Sequence, residues 1–226
     1  LIPLYLMDTN VPRNNDDDRR VTARLYEADR DVRMRQEILL GVGGVRMLAA
    51  LGITPSVWHM NEGHSAFLVL ERLRQHMKGD DLTLDEAKSL VRSSCVFTTH
   101  TPVDAGNERF SVDLMARYFQ PYAEMLGLEW ADFLNLGRQD GGDPNNFDMT
   151  VLALRMSSQA NGVSAMHGMV SRRMWRNIWK GFTEAELPIS HVTNGVHTAS
   201  YVGPAFRLLL GHYLGPDWLD LKPEDP

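Results

Sequence analysis

Trp58-His59-Met60-Asn61-Glu62-Gly63-His64 reads as a short strand that runs directly into a polar turn. Two further stretches repeat the arrangement, Phe97-Thr98-Thr99-His100-Thr101-Pro102 and His191-Val192-Thr193-Asn194-Gly195-Val196-His197. Each sits on or just after a short run with β-branched residues, and each places His beside Asn, Glu or Thr. In an open α/β sheet such turns fall at the carboxyl ends of strands and line one crevice, so residues distant in sequence meet around one ligand. Asn donates and accepts, neutral His offers one of each, and Glu supplies two acceptor oxygens, a combination suited to vicinal hydroxyls.

Working outward, residues 1–7 read as a buried strand and residues 8–18 as an acidic loop. Met34, Ile38, Val42, Val45, Leu48 and Ala49 keep helical spacing across 31–51, and Gly52 is the stop. Strand 57–60 is followed by helix 65–77, and Thr83 with Glu86 forms a capping box that opens a helix through Leu90. Strand 96–99 follows, then helices over 112–125, with Pro121 as a break point, and over 130–136. Residues 137–146 are a polar loop, and 147–154 fit either strand or helix. Helix 166–180, strand 189–193 and helix 205–213 complete an α/β reading with a Rossmann-like parallel sheet. No internal repeat argues for a solenoid.

With 226 residues, the chain is long enough to bury a real core. Its net charge of -6 and lack of a basic stripe exclude nucleic acid as the main partner. A single cysteine, Cys95, rules out an intrachain disulfide and a cysteine-rich zinc site; it reads as a core residue of a cytoplasmic protein. No apolar run reaches membrane-spanning length. The start at Leu1 lacks both an initiator Met and a signal peptide's basic region, so a piece from inside a longer chain is expected.

Gly41-Val42-Gly43-Gly44 invites comparison with a phosphate loop, but Arg46 occupies the third glycine position and the preceding residues are in helical register, so close helix packing is the better reading. His59 and His64 flank Glu62 five residues apart, about 140° around a helix, which does not fit a zincin pair, and no metal is expected. No Gly-x-Ser-x-Gly elbow is present. Trp175 and Trp179, four apart on a helix, are expected to pack inward.

Five ordered segments resemble the α-glucan (glycogen, starch or maltodextrin) phosphorylases of the shorter bacterial type. They are Arg33-x-Arg35-Gln36-Glu37-Ile38-Leu39-Leu40-Gly41, the run His59 to Phe67, Thr98-Thr99-His100-Thr101-Pro102, Asn161-Gly162-Val163-Ser164 with His167, and Thr193 to Thr198. The resemblance implies a GT-B architecture, with residues 1–190 as the later part of the first Rossmann-like domain. Residues 191–226 would be the junction and the start of the second, cofactor-binding domain. It implies transfer of a terminal glucosyl unit from an α-1,4-glucan to inorganic phosphate, with retention, assisted by the phosphate of pyridoxal phosphate acting as a proton shuttle.

By position, the resemblance implies that His100 holds the reacting glucose through its backbone carbonyl and ring, that Asn194 bonds the 6-hydroxyl, and that Glu108 supports the site from below. Asn61, Glu62 and His64 match the loop lining the sugar pocket, and Asp29 matches an acidic gate loop, although Glu27-Ala28 replaces the Gly-Gly often found there. Lys78, Lys88, Lys180 and Lys222 sit in no cofactor motif, so this chain alone is expected neither to bind pyridoxal phosphate covalently nor to turn over. Homodimerisation is left open as a route for pairing exposed sheet edges. The alternatives are a nucleotide-sugar-dependent GT-B glycosyltransferase and a non-catalytic glucan-binding module with aromatic platforms.

Overall fold

The structure is a computed structural model that describes residues 2–25 and 27–221; Leu1 and Lys222, named above, lie outside them. Two compact units divide the chain, Leu1–Val192 and Thr193–Pro226.

The first unit is built on a parallel sheet of β1 (Trp58–Asn61), β2 (Cys95–Thr99), β5 (Gln159–Gly162) and β6 (Ile189–His191), which lie side by side in that order. Every pairing is parallel: Asn61 lies opposite Thr98, Thr98 opposite Asn161, and Gly162 opposite His191. Parallel neighbours need crossovers, and these are largely helical. Helices α4 (Leu68–Gly79) and α5 (Leu84–Ser94) connect β1 to β2, and α9 (Ala165–Trp175) connects β5 to β6. Between β2 and β5 come an antiparallel pair, β3 (Arg109–Ser111) with β4 (Asn146–Asp148), and helices α6 (Val112–Met125), α7 (Trp130–Asn135) and α8 (Met149–Arg155). Before the sheet stand α1 (Asp16–Arg19), α2 (Arg30–Ile38) and α3 (Gly44–Ala50).

The core lies between the sheet and these helices. Phe67, Phe110, Phe119, Phe133 and Phe147 are buried and in mutual contact, with ring centroids 4.4 Å apart for Phe67 and Phe119. Cys95 is fully buried, as expected of a core residue, and burial pushes its thiol above the usual range despite the nearby Arg72. Trp175 is fully buried and Trp179 packs against the same core. The helix read across 31–51 is present as α2 and α3, joined by a π-helical turn over Leu39–Gly43 and ended at Gly52 with φ +69°. At Gly41 a Cβ would stand 2.8 Å from the Leu68 backbone nitrogen and 2.9 Å from the Phe67 Cβ. The glycine therefore permits helix-to-helix approach, and the phosphate-loop reading is set aside on direct geometry.

Four readings change. Residues 2–7 have no regular structure, and Ile2, Leu4 and Leu6 are exposed rather than buried, because no neighbouring strand among the described residues offers a ladder. Pro121 does not break α6: it sits on the exposed side, while Met115, Phe119 and Ala123 continue the buried stripe. Residues 147–154 are both structures in turn, since strand β4 ends at Asp148 and its carboxylate caps α8 by accepting from the Thr150 and Val151 amides. The helix placed over 166–180 ends at Trp175, with a 3-10 turn over Arg176–Ile178.

Glu71 joins three helices. Fully buried on α4, it accepts from Arg46 of α3 at 3.0 Å, Arg74 at 2.6 Å and the Tyr122 hydroxyl of α6. Burial alone would raise its proton affinity, but the Arg74, Arg46 and Tyr122 hydrogen bonds outweigh it and hold the carboxyl at about 2. The linked stability is present above the unfolded carboxylate value and is lost as pH falls through about 2. Glu71→Gln is expected to cost about 3 kcal/mol at neutral pH by leaving two guanidinium groups short of a counter-charge, measurable by urea unfolding.

The second unit contains α10 (Thr198–Tyr201) and α11 (Pro204–Leu214). Phe206, Leu208 and Tyr213 of α11 are exposed.

Candidate functional site

Parallel pairing puts the carboxyl ends of β1, β2, β5 and β6 on one edge of the sheet, so Asn61-Glu62, His100-Thr101 and Val163-Ser164 emerge there together. A line of polar contacts runs beneath these turns. The His59 ring meets the Thr98 hydroxyl at 2.7 Å, and that hydroxyl donates to the Asn161 amide oxygen at 2.9 Å. Since Thr98 spends its proton on Asn161, His59 Nε2 is the donor to Thr98.

Glu62 turns the chain with φ +66°, a rare value for a residue with a side chain, and its amide still donates to the Thr98 carbonyl at 2.9 Å. Its carboxylate accepts the His100 backbone N–H and, at 3.1 Å, the Thr101 hydroxyl. Two segments read separately in the sequence are thus joined by one side chain.

Next to this contact lies a cleft of about 380 Å³, lined by Arg30, Arg33, His64, Thr101 and Glu108 among others. That volume is within the range of small-molecule sites, about 300 to 1,000 Å³. Arg33, buried on α2, gathers the groups around it: Nη2 stands 2.7 Å from His64 Nδ1 and 3.0 Å from Glu37 Oε1, and Nε donates to Glu108 Oε2 at 3.0 Å. A guanidinium has only donors, so His64 Nδ1 accepts, and the ring's proton is on Nε2. Glu37 Oε1 is farther from Nδ1, at 3.5 Å. Donor atoms of Glu37, His64 and Glu108 lie within 4.8 Å of one another, a spacing that could hold a metal, but the Arg33 guanidinium contacts all three.

Two carboxylates on one guanidinium have opposite fates. Burial pushes Glu37 up to about 7, with the Glu108 charge adding to the rise and the Arg33 guanidinium opposing it. Burial also raises Glu108, but hydrogen bonds from Arg30 and Arg33 outweigh it and hold its carboxyl below the usual range. Arg30 lies over the Phe110 ring at 4.7 Å and also donates to the Arg109 carbonyl.

Of the residues chosen from sequence, His64 and Glu108 line the cleft, and Glu62 and His100 meet at its border, with Thr101 common to both groups. Asn61 is exposed at the end of β1. Asp29 is engaged in the helix: its carboxylate caps α2 by accepting from Asp31 N and Val32 N. Asn194 belongs to the second unit, whereas every residue lining the cleft belongs to the first. Arg30, Arg33, Glu37 and Thr101 were not assigned site roles from sequence. Arg33 and Glu37 had a visible signal, an Arg/Glu pair four apart on a helix, which is 3.0 Å long here.

A model of the family described as "Phosphorylase: Carbohydrate phosphorylase" matches residues 53–222. The chain belongs to the carbohydrate phosphorylase family. It is 44% identical over 219 residues to a maltodextrin phosphorylase of Thermococcus litoralis, an alignment covering 97% of this chain and 26% of the relative. It is 42% identical to a glycogen phosphorylase of Mycobacterium tuberculosis, with 100% of this chain and 28% of the relative aligned. A glycogen phosphorylase of Aquifex aeolicus is 36% identical, over 96% of this chain and 31% of the relative. The chain therefore spans between 26% and 31% of the length of these relatives.

The Arg33–Glu37 pair behind the cleft has a pH signature. Because Glu37 is raised above its ordinary carboxylate value of 4.5, the folded state holds a proton there that the unfolded state has lost, and stability falls as pH rises from about 4.5 to about 7. Glu37→Gln removes that ionisation, so the wild-type minus variant difference in unfolding free energy is expected to decline across this interval, by no more than about 3 kcal/mol, and to level above it. Guanidinium unfolding curves from pH 4 to 8 measure it; a difference independent of pH contradicts the assignment.

Proposed function

We propose that this chain is part of an α-1,4-glucan phosphorylase that transfers a terminal glucosyl unit to inorganic phosphate, giving α-glucose 1-phosphate with retention. The observation that carries the reading is the join between two strand-end turns, in which Glu62 holds the backbone of His100 at the border of a polar cleft. Family membership and a maltodextrin phosphorylase relative at 44% identity support it. In this reading, residues 1–190 belong to the first half of a GT-B enzyme, and residues 191–226 to its junction with the second.

Glycosidic cleavage passes through an oxocarbenium-like state, so oxygen dipoles near the ring are stabilising where positive charge develops. The His100 carbonyl can act in this way without its side chain titrating. His64 presents a ring whose tautomer Arg33 fixes, and Asn61 and Asn194 are assigned to sugar hydroxyls, contributing through orientation. Glu108, held by two arginines, supports the floor of the cleft. Asp29 in this reading keeps the α2 end of the gate loop in place.

The resemblance implies pyridoxal phosphate, which needs a lysine for covalent attachment. Lys180 pairs with Asp140 at 2.7 Å, Lys88 lies 3.9 Å from Asp85, and neither they nor Lys78 line the cleft. The described lysines thus do not fit the attachment, which is assigned to another part of the longer protein. The tryptophans that would serve as platforms of a glucan-binding module are all buried or half-buried, while Phe182, Tyr201, Phe206 and Tyr213 are exposed aromatics.

The test is production of glucose 1-phosphate from maltoheptaose and inorganic phosphate by the full-length protein containing this chain, with nucleotide-sugar donors in parallel. Turnover of the nucleotide sugar alone favours the other GT-B class. Asn194→Ala in the full-length protein is expected to lower catalytic efficiency by about fivefold to 150-fold, equivalent to about 1 to 3 kcal/mol. A loss below about twofold removes Asn194 from the pocket.

A further inference from the structure

Glu62 combines three observations that a sugar ligand does not require. Its backbone is in the left-handed region, at φ +66° and ψ 173°, which a non-glycine residue keeps only when surrounding contacts impose it. The turn is fixed on both sides: the Glu62 amide is bonded to Thr98, and at the following Gly63 a Cβ would stand 3.0 Å from the Met149 Cβ. Its carboxylate oxygen Oε1 is already engaged by the His100 N–H and the Thr101 hydroxyl.

Those two donors flank the His100 carbonyl. An acceptor that grips the chain on both sides of one peptide group restricts rotation about that group and so aims its C=O.

The geometry points to Glu62 as a positioning residue that clamps the His100 turn, rather than as a hydrogen-bonding partner of the sugar. This rests on the phosphorylase reading for its catalytic consequence, but not for the clamp itself. Glutamine keeps an acceptor oxygen of the same reach and loses the charge. Alanine loses both. Glycine also loses both, but adopts φ +66° without strain.

The experiment places Glu62→Ala, Glu62→Gln and Glu62→Gly in the full-length protein and follows amide hydrogen exchange at His100 by NMR or fragmentation mass spectrometry. Loss of a charge-assisted hydrogen bond is expected to speed exchange at this amide about tenfold or more in the alanine and glycine variants, and less than about threefold in the glutamine variant. If alanine prevents folding, the glycine variant supplies the same comparison. Unchanged His100 exchange in the alanine or glycine variant overturns the clamp.

With glucose 1-phosphate and a maltodextrin acceptor, loss of the clamp lowers kcat in the alanine variant with little change in KM, and glutamine restores part of it. A raised KM with kcat and His100 exchange unchanged is the signature of a direct sugar contact and overturns the proposal. If the wild-type protein forms no glucose 1-phosphate and uses none, the phosphorylase reading fails, while the exchange measurement still decides the clamp.

Discussion

Parallel register is the constraint on which the other features depend. Thr98 lies opposite Asn61 on one side and Asn161 on the other, so three strands deliver their carboxyl ends to one edge within the spacing of neighbouring strands, about 5 Å. A one-residue slip of β2 would turn Phe97 out of the core and Thr98 into it. The same slip would break the His59, Thr98 and Asn161 contacts and move the His100 amide away from Glu62. Core packing and cleft geometry are therefore set by one choice of pairing.

Charge is handled inside this frame by two different centres. Glu71 gathers two arginines and a tyrosine and stays ionised, tying α3, α4 and α6 together. Around Arg33 the balance is reversed, because one guanidinium faces two carboxylates and an imidazole. Glu108 has Arg30 as a second partner and remains easy to ionise, while Glu37, more deeply buried, does not. A carboxyl that resists ionisation next to a carboxylate is a common signature of a working cleft, since burial and like charge separate their proton affinities.

Legibility in the sequence followed the length scale of the interaction. The Thr83 capping box, the Gly52 stop and the amphipathic helices α5 and α6 rest on contacts within a few residues, and they were readable. Strand β5 was not, because Gln159-Ala160-Asn161-Gly162 is short, has no β-branched residue and puts only Ala and Gly on its buried side; its neighbours β2 and β6 impose extension on it. The opposite case is residues 2–7, whose apolar pattern is strand-like but finds no ladder among the described residues. Arg33 and Glu37 were seen as part of a resembling segment, yet their meeting with His64 and Glu108 joins positions up to 75 residues apart.

By itself the sequence determined the α/β alternation, the burial of Cys95 and Trp175, and the family, because local periodicity and ordered motifs are written in the order of residues. Only the tertiary structure decided that Glu62 faces the peptide chain at His100, that Asp29 caps a helix, and that Arg33 gathers Glu37, His64 and Glu108. Side-chain roles of this kind depend on which donors lie within about 3 Å, and that distance is fixed by strand register and helix packing, which no local pattern encodes.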